Sequence, residues 1–166
     1  MRFGLCCLFK QEKISFHTTT AKALLAMNRS EQLLKLSGIC HDNARNLLRA
    51  AHACHELGIG AFRIMSPLFP RMTHPEVGYG VAELPDGDVI RQLLGAIRIF
   101  ARQHDLRLSF HPDQFVVVSS PHPAVVASSI RELEYQATWL RKWGQSMIIR
   151  LRGRGIVMSS LLEVKP

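Results

Sequence analysis

Short apolar segments alternate with longer segments of helical periodicity along most of this chain, and this alternation limits the folds open to it. The apolar segments are Arg2 to Phe9, Ala61 to Met65, Leu106 to Phe110 and Met147 to Leu151. The helical segments run from Ser30 to Leu57, from Asp88 to Asp105 and from Pro123 to Gly144, with a short one beginning at Ala21. Strands that alternate with helices predict parallel strands joined by right-handed crossovers.

The order β-α-β-α-β-α-β predicts an α/β fold. About four β/α units are half of an eight-stranded TIM-type barrel, for which about 250 residues are typical. The 166 residues of this chain therefore predict a partial TIM-type (β/α) barrel. A stand-alone doubly wound sheet is the alternative, but no Gly-x-Gly-x-x-Gly follows the first strand, so a dinucleotide fold lacks its main sequence support.

The apolar positions also predict which faces of the elements are buried. The nearly continuous apolar run from Arg2 to Phe9 is typical of a strand buried on both faces. The predicted buried stripe of the 88–105 helix is Val89, Leu93, Ile97 and Phe100. That of the helix after Pro123 is Val126, Ile130, Leu133, Ala137 and Leu140.

The charge of the chain favours a polyanionic partner. Lysine and arginine total 21 residues against 13 acidic ones, which gives a net charge of +8 and a pI near 9.9. Such an excess suits nucleic acid. Many basic proteins bind nothing anionic, so charge alone leaves this partner as a hypothesis.

The cysteines and the hydropathy indicate a cytoplasmic protein. Cys6, Cys7, Cys40 and Cys54 show no C-x-x-C spacing, and adjacent cysteines on a strand point to opposite faces, so all four are predicted to be reduced thiols. No apolar run approaches the roughly 20 residues of a membrane span. The first ten residues are too short for the apolar region of a signal peptide. We therefore expect no membrane partner.

Two histidines stand directly before prolines near strand ends. His111-Pro112 closes the third predicted strand and leads into Asp113-Gln114-Phe115. His74-Pro75 lies in the long connection between the second strand and the next helix. Proline restricts the residue before it to an extended conformation, and sites in β/α proteins lie at the carboxyl ends of strands. The alternative to a functional site is a structural role, in which His111 caps the strand and the Phe115 ring packs inward.

Several motifs together resemble those of the UV damage endonuclease family. They are Gly4-Leu-Cys-Cys7, Gly58 to Pro70, Thr73-His-Pro75 with Gly78-Tyr-Gly80, and Phe110 to Phe115 with Ser120-Pro121. The resemblance runs in order from about Arg2 to Gly144. It implies a metal-dependent barrel nuclease that nicks double-stranded DNA on the 5′ side of ultraviolet photoproducts, with divalent metal ions, often manganese.

The resemblance also implies roles for individual residues. His74 and His111 match metal-binding histidines of the family. Gln114 and Phe115 match a glutamine–aromatic pair that enters the duplex where the lesion is flipped out. Leu5 and Phe9 differ in type from the probing residues expected near the first strand, so no role is carried over to them.

Other polar residues are given structural interpretations. Asn43 is predicted to make a structural hydrogen bond, and Asp113 to orient His111. Arg63 is predicted to pair within the barrel, with contact to a phosphate as the alternative. The remaining histidines are expected mostly at surfaces or caps, and they are His17, His41, His52, His55, His104 and His122.

The last part of the chain departs from the family pattern. After Gly144 the family shows a strand that ends in a histidine, whereas residues 146–166 contain none. We expect residues 1–145 to form the N-terminal half of the barrel and 146–166 a divergent tail, as a truncation or frameshift would produce. An unpaired barrel edge then predicts oligomers or aggregation. Two alternative functions remain. The chain is a non-catalytic remnant that binds DNA electrostatically, or it is a sugar isomerase-like barrel enzyme.

Overall fold

The computed structural model describes residues 3–6, 9 and 12–144, and these form an α/β structure around a parallel sheet. Its strands within that part of the chain are β1 (Gly4–Cys6), β2 (Ala61–Met65) and β3 (Arg107–His111), in the order β1-β2-β3. The helices are α1 (Ala21–Leu25), α2 (Arg29–Glu56), α3 (Gly87–Gln103) and α4 (Pro123–Lys142). The alternation and the parallel direction predicted from the sequence are confirmed. The predicted fourth strand and the 146–166 tail lie outside the described residues.

Local sequence signals set the helix boundaries. Thr20 caps α1 by accepting a hydrogen bond from the Ala23 amide. Asn28 and Glu31 form a reciprocal capping box at the start of α2, which satisfies amides that have no partner inside the helix. α2 ends before Gly58, whose φ of 68° is a left-handed conformation that glycine adopts without strain.

The sheet buries only one of its faces in the described part of the chain. Phe62 and Ile64 of β2 lie opposite Leu108 and Phe110 of β3, and all four are buried against the helices. The other face carries the pairs Arg63–Ser109 and Met65–His111, and it stays open. The expectation that β1 is buried on both faces is therefore wrong here. Gly4, on the open face, is exposed, and Leu5, which pairs with Phe62 on the core face, is only half-buried.

The buried stripes of α3 and α4 are rotated from the predicted positions. In α3 the buried residues are Ile90, Leu94, Ile97 and Ala101, while Val89 is 44% exposed. In α4, Ser129 and Gln136 are buried beside Leu133 and Leu140, while Ile130 is 45% exposed. A pair of hydrogen bonds joins the start of α3 to α2. The Ser37 hydroxyl donates to the Asp86 carboxylate and accepts from the Asp86 amide, which fixes the start of α3 against α2.

Asn43 ties α2 to two loops, which confirms its predicted structural role. Its fully buried side chain donates to the carbonyls of His17, Pro67 and Leu68 at 2.8–3.2 Å. Its amide oxygen accepts from the His17 amide at 2.7 Å. The long connection after β2 is thereby anchored at its start. It also packs its own apolar side chains into the core, at Leu68, Phe69, Val77, Tyr79 and Leu84.

Cys40 and Cys54 match the predicted reduced state, and the prediction for the thiols of Cys6 and Cys7 lies outside what the structure describes. Cys40 and Cys54 are free and buried, and burial raises the pKa of their thiols to about 12 and about 11. The Tyr79 hydroxyl donates to the Pro70 carbonyl, so its oxygen is left to accept the Cys40 S–H at 3.0 Å. Burial also raises the pKa of Tyr79 above its usual range. Among the described helices none is long and apolar enough to cross a membrane.

These thiols predict a loss of stability in alkali. Unfolded thiols ionise near pH 9, whereas the folded Cys40 stays protonated until about pH 12. The folded state therefore binds more protons in this window, and the free energy of unfolding falls as pH rises from about 9 to about 12. Denaturant titrations at successive pH values test this. Cys40→Ser removes the thiol's titration and should flatten the decline, and an unchanged decline in that variant would contradict the assignment.

Candidate nucleic-acid interface at the strand ends

The loops after β2 and β3 and the face of α4 enclose a cleft of about 380 Å³. His74 reaches it from the first loop, and Asp113 and Phe115 reach it from the second. Its lining otherwise consists of Thr18, Ser66, Pro67, Phe69, Pro70, Arg71, Thr73, Pro75, Val116, Ser128, Ser129, Arg131 and Glu132. The cleft lies where the carboxyl ends of parallel strands meet, as the sequence analysis expects for a site.

His111 ends β3 with its ring oriented by the following residue. Its Nδ1 lies 2.8 Å from the Pro112 carbonyl oxygen, and a carbonyl only accepts, so Nδ1 carries the proton. The lone pair of a neutral ring is then on Nε2, which is the arrangement typical of metal-binding histidines. The prediction that Asp113 orients His111 is wrong. The Asp113 carboxylate instead accepts from the Phe115 amide and shapes the turn.

His74 has the opposite arrangement of ring nitrogens. Its Nδ1 lies 3.2 Å from the Glu76 amide and 3.4 Å from the Val77 amide, both of which only donate. Nδ1 is therefore the acceptor, and the proton of a neutral ring is on Nε2. The turn closes at Gly78. Only glycine fits there, because a Cβ would collide with the carbonyl oxygens of His74 and Met72. As the loop is folded, the free nitrogen of His74 is a hydrogen-bond donor.

The fit of a metal ion to these residues is partial. His111 presents a lone pair without rearrangement, whereas His74 does so only if its Nδ1 contacts are given up. Within residues 3–6, 9 and 12–144, no three or more histidine, cysteine, aspartate or glutamate side chains come together in a group able to hold a metal ion. The described part of the chain therefore does not form a complete metal site.

Gln114 and Phe115 are exposed on the turn that follows β3. The Phe115 ring is 74% exposed, although its edge borders the cleft. The Asp113 carboxylate accepts from the Phe115 amide, and the Asp113 carbonyl accepts from the Val116 amide. These bonds hold a large apolar side chain out in solvent. Against the described residues, Phe115 does not pack into the core.

The structure changes the interpretation of one arginine, Arg63, and identifies two further arginines at the cleft, Arg71 and Arg131. Arg63 lies exposed on the open face of the sheet, and no ion pair joins it to another described residue. Its predicted pairing within the barrel is thus absent from this part of the chain. Arg71 and Arg131 line the cleft, and sequence reasoning missed both. The distinguishing feature of Arg71 is a φ of 63°, which no sequence motif signals.

The remaining histidines are largely exposed, as predicted. His52, His55 and His104 form a ring cluster with Phe100 at the ends of α2 and α3. The ring centroids of His55 and His104 are 4.0 Å apart. This cluster lies outside the lining of the cleft.

Comparison with known proteins relates this architecture to DNA repair enzymes. The family model for UV-endonuclease UvdE matches residues 1–150. Curated relatives named UV DNA damage endonuclease include one from Deinococcus radiodurans, 32% identical over 82% of this chain and 44% of its own length. One from Bacillus velezensis is 31% identical over 76% of this chain and 38% of its own length.

A solved structure gives the same relationship. The crystal structure of SacUVDE superposes with a TM-score of 0.71 at 28% identity, and the match covers 90% of this chain and 48% of that one. The chain spans well under half the length of the curated relatives it matches. The match to the family model over residues 1–150 nevertheless covers most of the 166 residues. This chain belongs to the UV-endonuclease UvdE family.

Proposed function

We propose that this chain acts in the recognition and incision of DNA that carries ultraviolet photoproducts, on the 5′ side of the lesion. The observation that carries the proposal is the exposed Gln114–Phe115 turn beside the cleft at the carboxyl ends of the strands. The names of the relatives and the net charge of +8 support a DNA partner.

Phe115 and Gln114 have the chemistry needed to open a duplex. An exposed ring on a braced turn can enter the base stack, and an amide can replace hydrogen bonds that a displaced base gives up. Unstacking costs a few kcal/mol per step, and it costs least at a base that is already damaged. The pair would therefore favour DNA whose photoproduct has weakened local stacking.

We further propose that His111 and His74 contribute ligands to a divalent metal site, with manganese as the expected ion. A bound divalent ion would supply Lewis-acid stabilisation of a phosphodiester and lower the pKa of a bound water. In this chain the Pro112 carbonyl holds His111 ready for that role. His74 has first to exchange its Nδ1 contacts with the backbone. Additional ligands have to come from outside the described residues.

The open face of the sheet fits the interior of a TIM-type barrel. We propose that β1, β2 and β3 are consecutive barrel strands whose open face, with Arg63 and His111, becomes enclosed when further strands are added. Without them, the sheet edges are available for pairing with another copy of the chain.

A non-catalytic DNA-binding role is the second candidate. It is favoured by the incomplete ligand set of the described residues. A sugar isomerase-like activity has less support, because the exposed ring of Phe115 has no evident role in binding a small polar substrate.

Phe115→Ala is expected to reduce the preference for irradiated over undamaged DNA by tenfold or more. Stacking of one base on an aromatic side chain contributes about 1–3 kcal/mol. Binding to undamaged DNA should change less, because phosphate contacts supply that affinity. The melting temperature should hardly change, since the ring is 74% exposed. Fluorescence anisotropy with matched irradiated and unirradiated duplexes measures the preference.

Leu34→Ala is the matched control for this experiment. Leu34 is another large apolar side chain, 66% exposed on α2 and outside the cleft. Its loss should leave the preference unchanged. Equal weakening on both duplexes by Phe115→Ala, together with a lowered melting temperature, would reject the probing role.

A further inference from the structure

Arg71 and Arg131 approach the cleft from different elements. Arg71 lies in the loop that follows β2, and Arg131 lies on α4, and both side chains are exposed. We propose that these two arginines bind phosphodiester groups of a DNA strand that enters the cleft beside Phe115. The inference rests on the proposed DNA-binding function and identifies the residues that hold the backbone.

Arg71 is held in a conformation that only a surrounding structure can maintain. Its φ of 63° is left-handed, a conformation that non-glycine residues rarely adopt. Such conformations cluster at binding sites. The Arg71 Nε donates to the Thr19 carbonyl at 3.0 Å, which orients the guanidinium plane. Among the described residues the Arg71 side chain makes no other hydrogen bond, so its two terminal nitrogens are free to bind a phosphate as a fork.

Carboxylates near the arginines are already engaged with other groups. Glu132 accepts from the Thr73 hydroxyl at 2.9 Å and from the Gln136 amide nitrogen at 3.1 Å. Asp113 accepts from the Phe115 amide. Within the described part of the chain neither Arg71 nor Arg131 makes an ion pair. The cleft therefore holds two guanidinium groups that form no ion pair with a described residue, while its two carboxylates are hydrogen-bonded to neutral donors.

The neighbours of the two arginines suit a nucleic-acid strand. Phe115 provides an exposed aromatic face at the same cleft, and arginine next to an aromatic ring is a recurrent platform for a base and its phosphate. His74 adds an Nε2–H donor, since its Nδ1 accepts from the backbone. Thr18 adds an exposed hydroxyl. These groups are hydrogen-bond donors, and a phosphodiester supplies only acceptors.

The test measures how DNA affinity depends on salt. Each phosphate neutralised contributes about −0.9 to the slope of log K against log salt on duplex DNA. Arg71→Gln and Arg131→Gln should each make the slope shallower by roughly 0.9, and the double variant by roughly 1.8. Arg98→Gln and Arg102→Gln are matched controls, because they remove the same charge from exposed positions on α3 outside the cleft. Their slopes should equal that of the unmodified chain.

Arg71→Gly separates the loss of the guanidinium group from the effect of the strained backbone at this position. Glycine accepts the left-handed conformation, so this variant relaxes the backbone while it removes the guanidinium. Its slope should match that of Arg71→Gln, and its thermal stability shows that the loop is still folded. If the cleft variants bind DNA with the same slope as the α3 controls, the phosphate site is wrong while DNA binding stands. If the unmodified chain binds no DNA even at low salt, both proposals fail.

Discussion

Replacing Asn43 with leucine is expected to lower the free energy of unfolding by about 3–5 kcal/mol, because it leaves four backbone groups, one buried and three partly buried, without their side-chain partner. The His17 amide and carbonyl and the carbonyls of Pro67 and Leu68 all bond to this one side chain. Each unsatisfied buried group costs about 1–3 kcal/mol. Thermal unfolding followed by circular dichroism should show a midpoint lowered by roughly 10 °C or more.

Asn46→Leu is the matched control on the next turn of the same helix. The Asn46 side chain donates to one backbone group, the Ser15 carbonyl, so its loss should cost only about 1 kcal/mol. Similar losses of unfolding free energy in the two variants would show that the Asn43 hydrogen bonds stabilise the fold no more than the single Asn46 bond does.

The Asn43 variant should also weaken the cleft. Asn43 fixes Pro67 and Leu68, which begin the loop that carries Arg71 and His74. It also fixes His17, two residues before the Thr19 carbonyl that orients Arg71. We therefore expect DNA affinity to fall in the folded Asn43→Leu protein more than in Asn46→Leu.

The purified 166-residue chain is expected to nick irradiated plasmid no faster than a protein-free control, with manganese present. Metal-assisted phosphodiester cleavage needs ions held in fixed geometry by several ligands. Among the described residues the Nδ1 of His74 is occupied by backbone amides, and no three or more histidine, cysteine, aspartate or glutamate side chains form a group able to hold a metal ion. Conversion of supercoiled to relaxed plasmid measures the activity.

A chimaera tests whether the ligand set is what limits activity. Residues 1–144 would be joined to the remaining C-terminal part of the Deinococcus radiodurans relative, of which this chain covers 44%. Metal-dependent nicking should appear in the chimaera, and His111→Ala should abolish it. Metal-dependent nicking by the 166-residue chain itself, lost in His111→Ala, would contradict the prediction.

The sequence by itself determined the order and type of the elements and the place of the candidate site. Strand β2 is found at the predicted residues, and β3 begins and ends one residue later than predicted. Local chemistry explains this success. Period and composition identify each element, caps and glycines end it, and Pro112 stops β3 next to His111. The structural hydrogen bonding of Asn43 was also predicted, from the resemblance of its helix to a segment of the family.

Only the tertiary structure decided which faces are buried and where protons and charges lie. Helical spacing admits two neighbouring stripes on α3, and in the folded chain the buried one contains Ile90 and Leu94. The ring nitrogens of His74 and His111 take opposite roles because one ring meets backbone amides and the other a carbonyl. Arg71 becomes a candidate phosphate ligand through its backbone conformation and its contact with Thr19, 52 residues earlier in the chain. Such properties depend on groups brought together through space, and the spacing of residues along the sequence does not encode them.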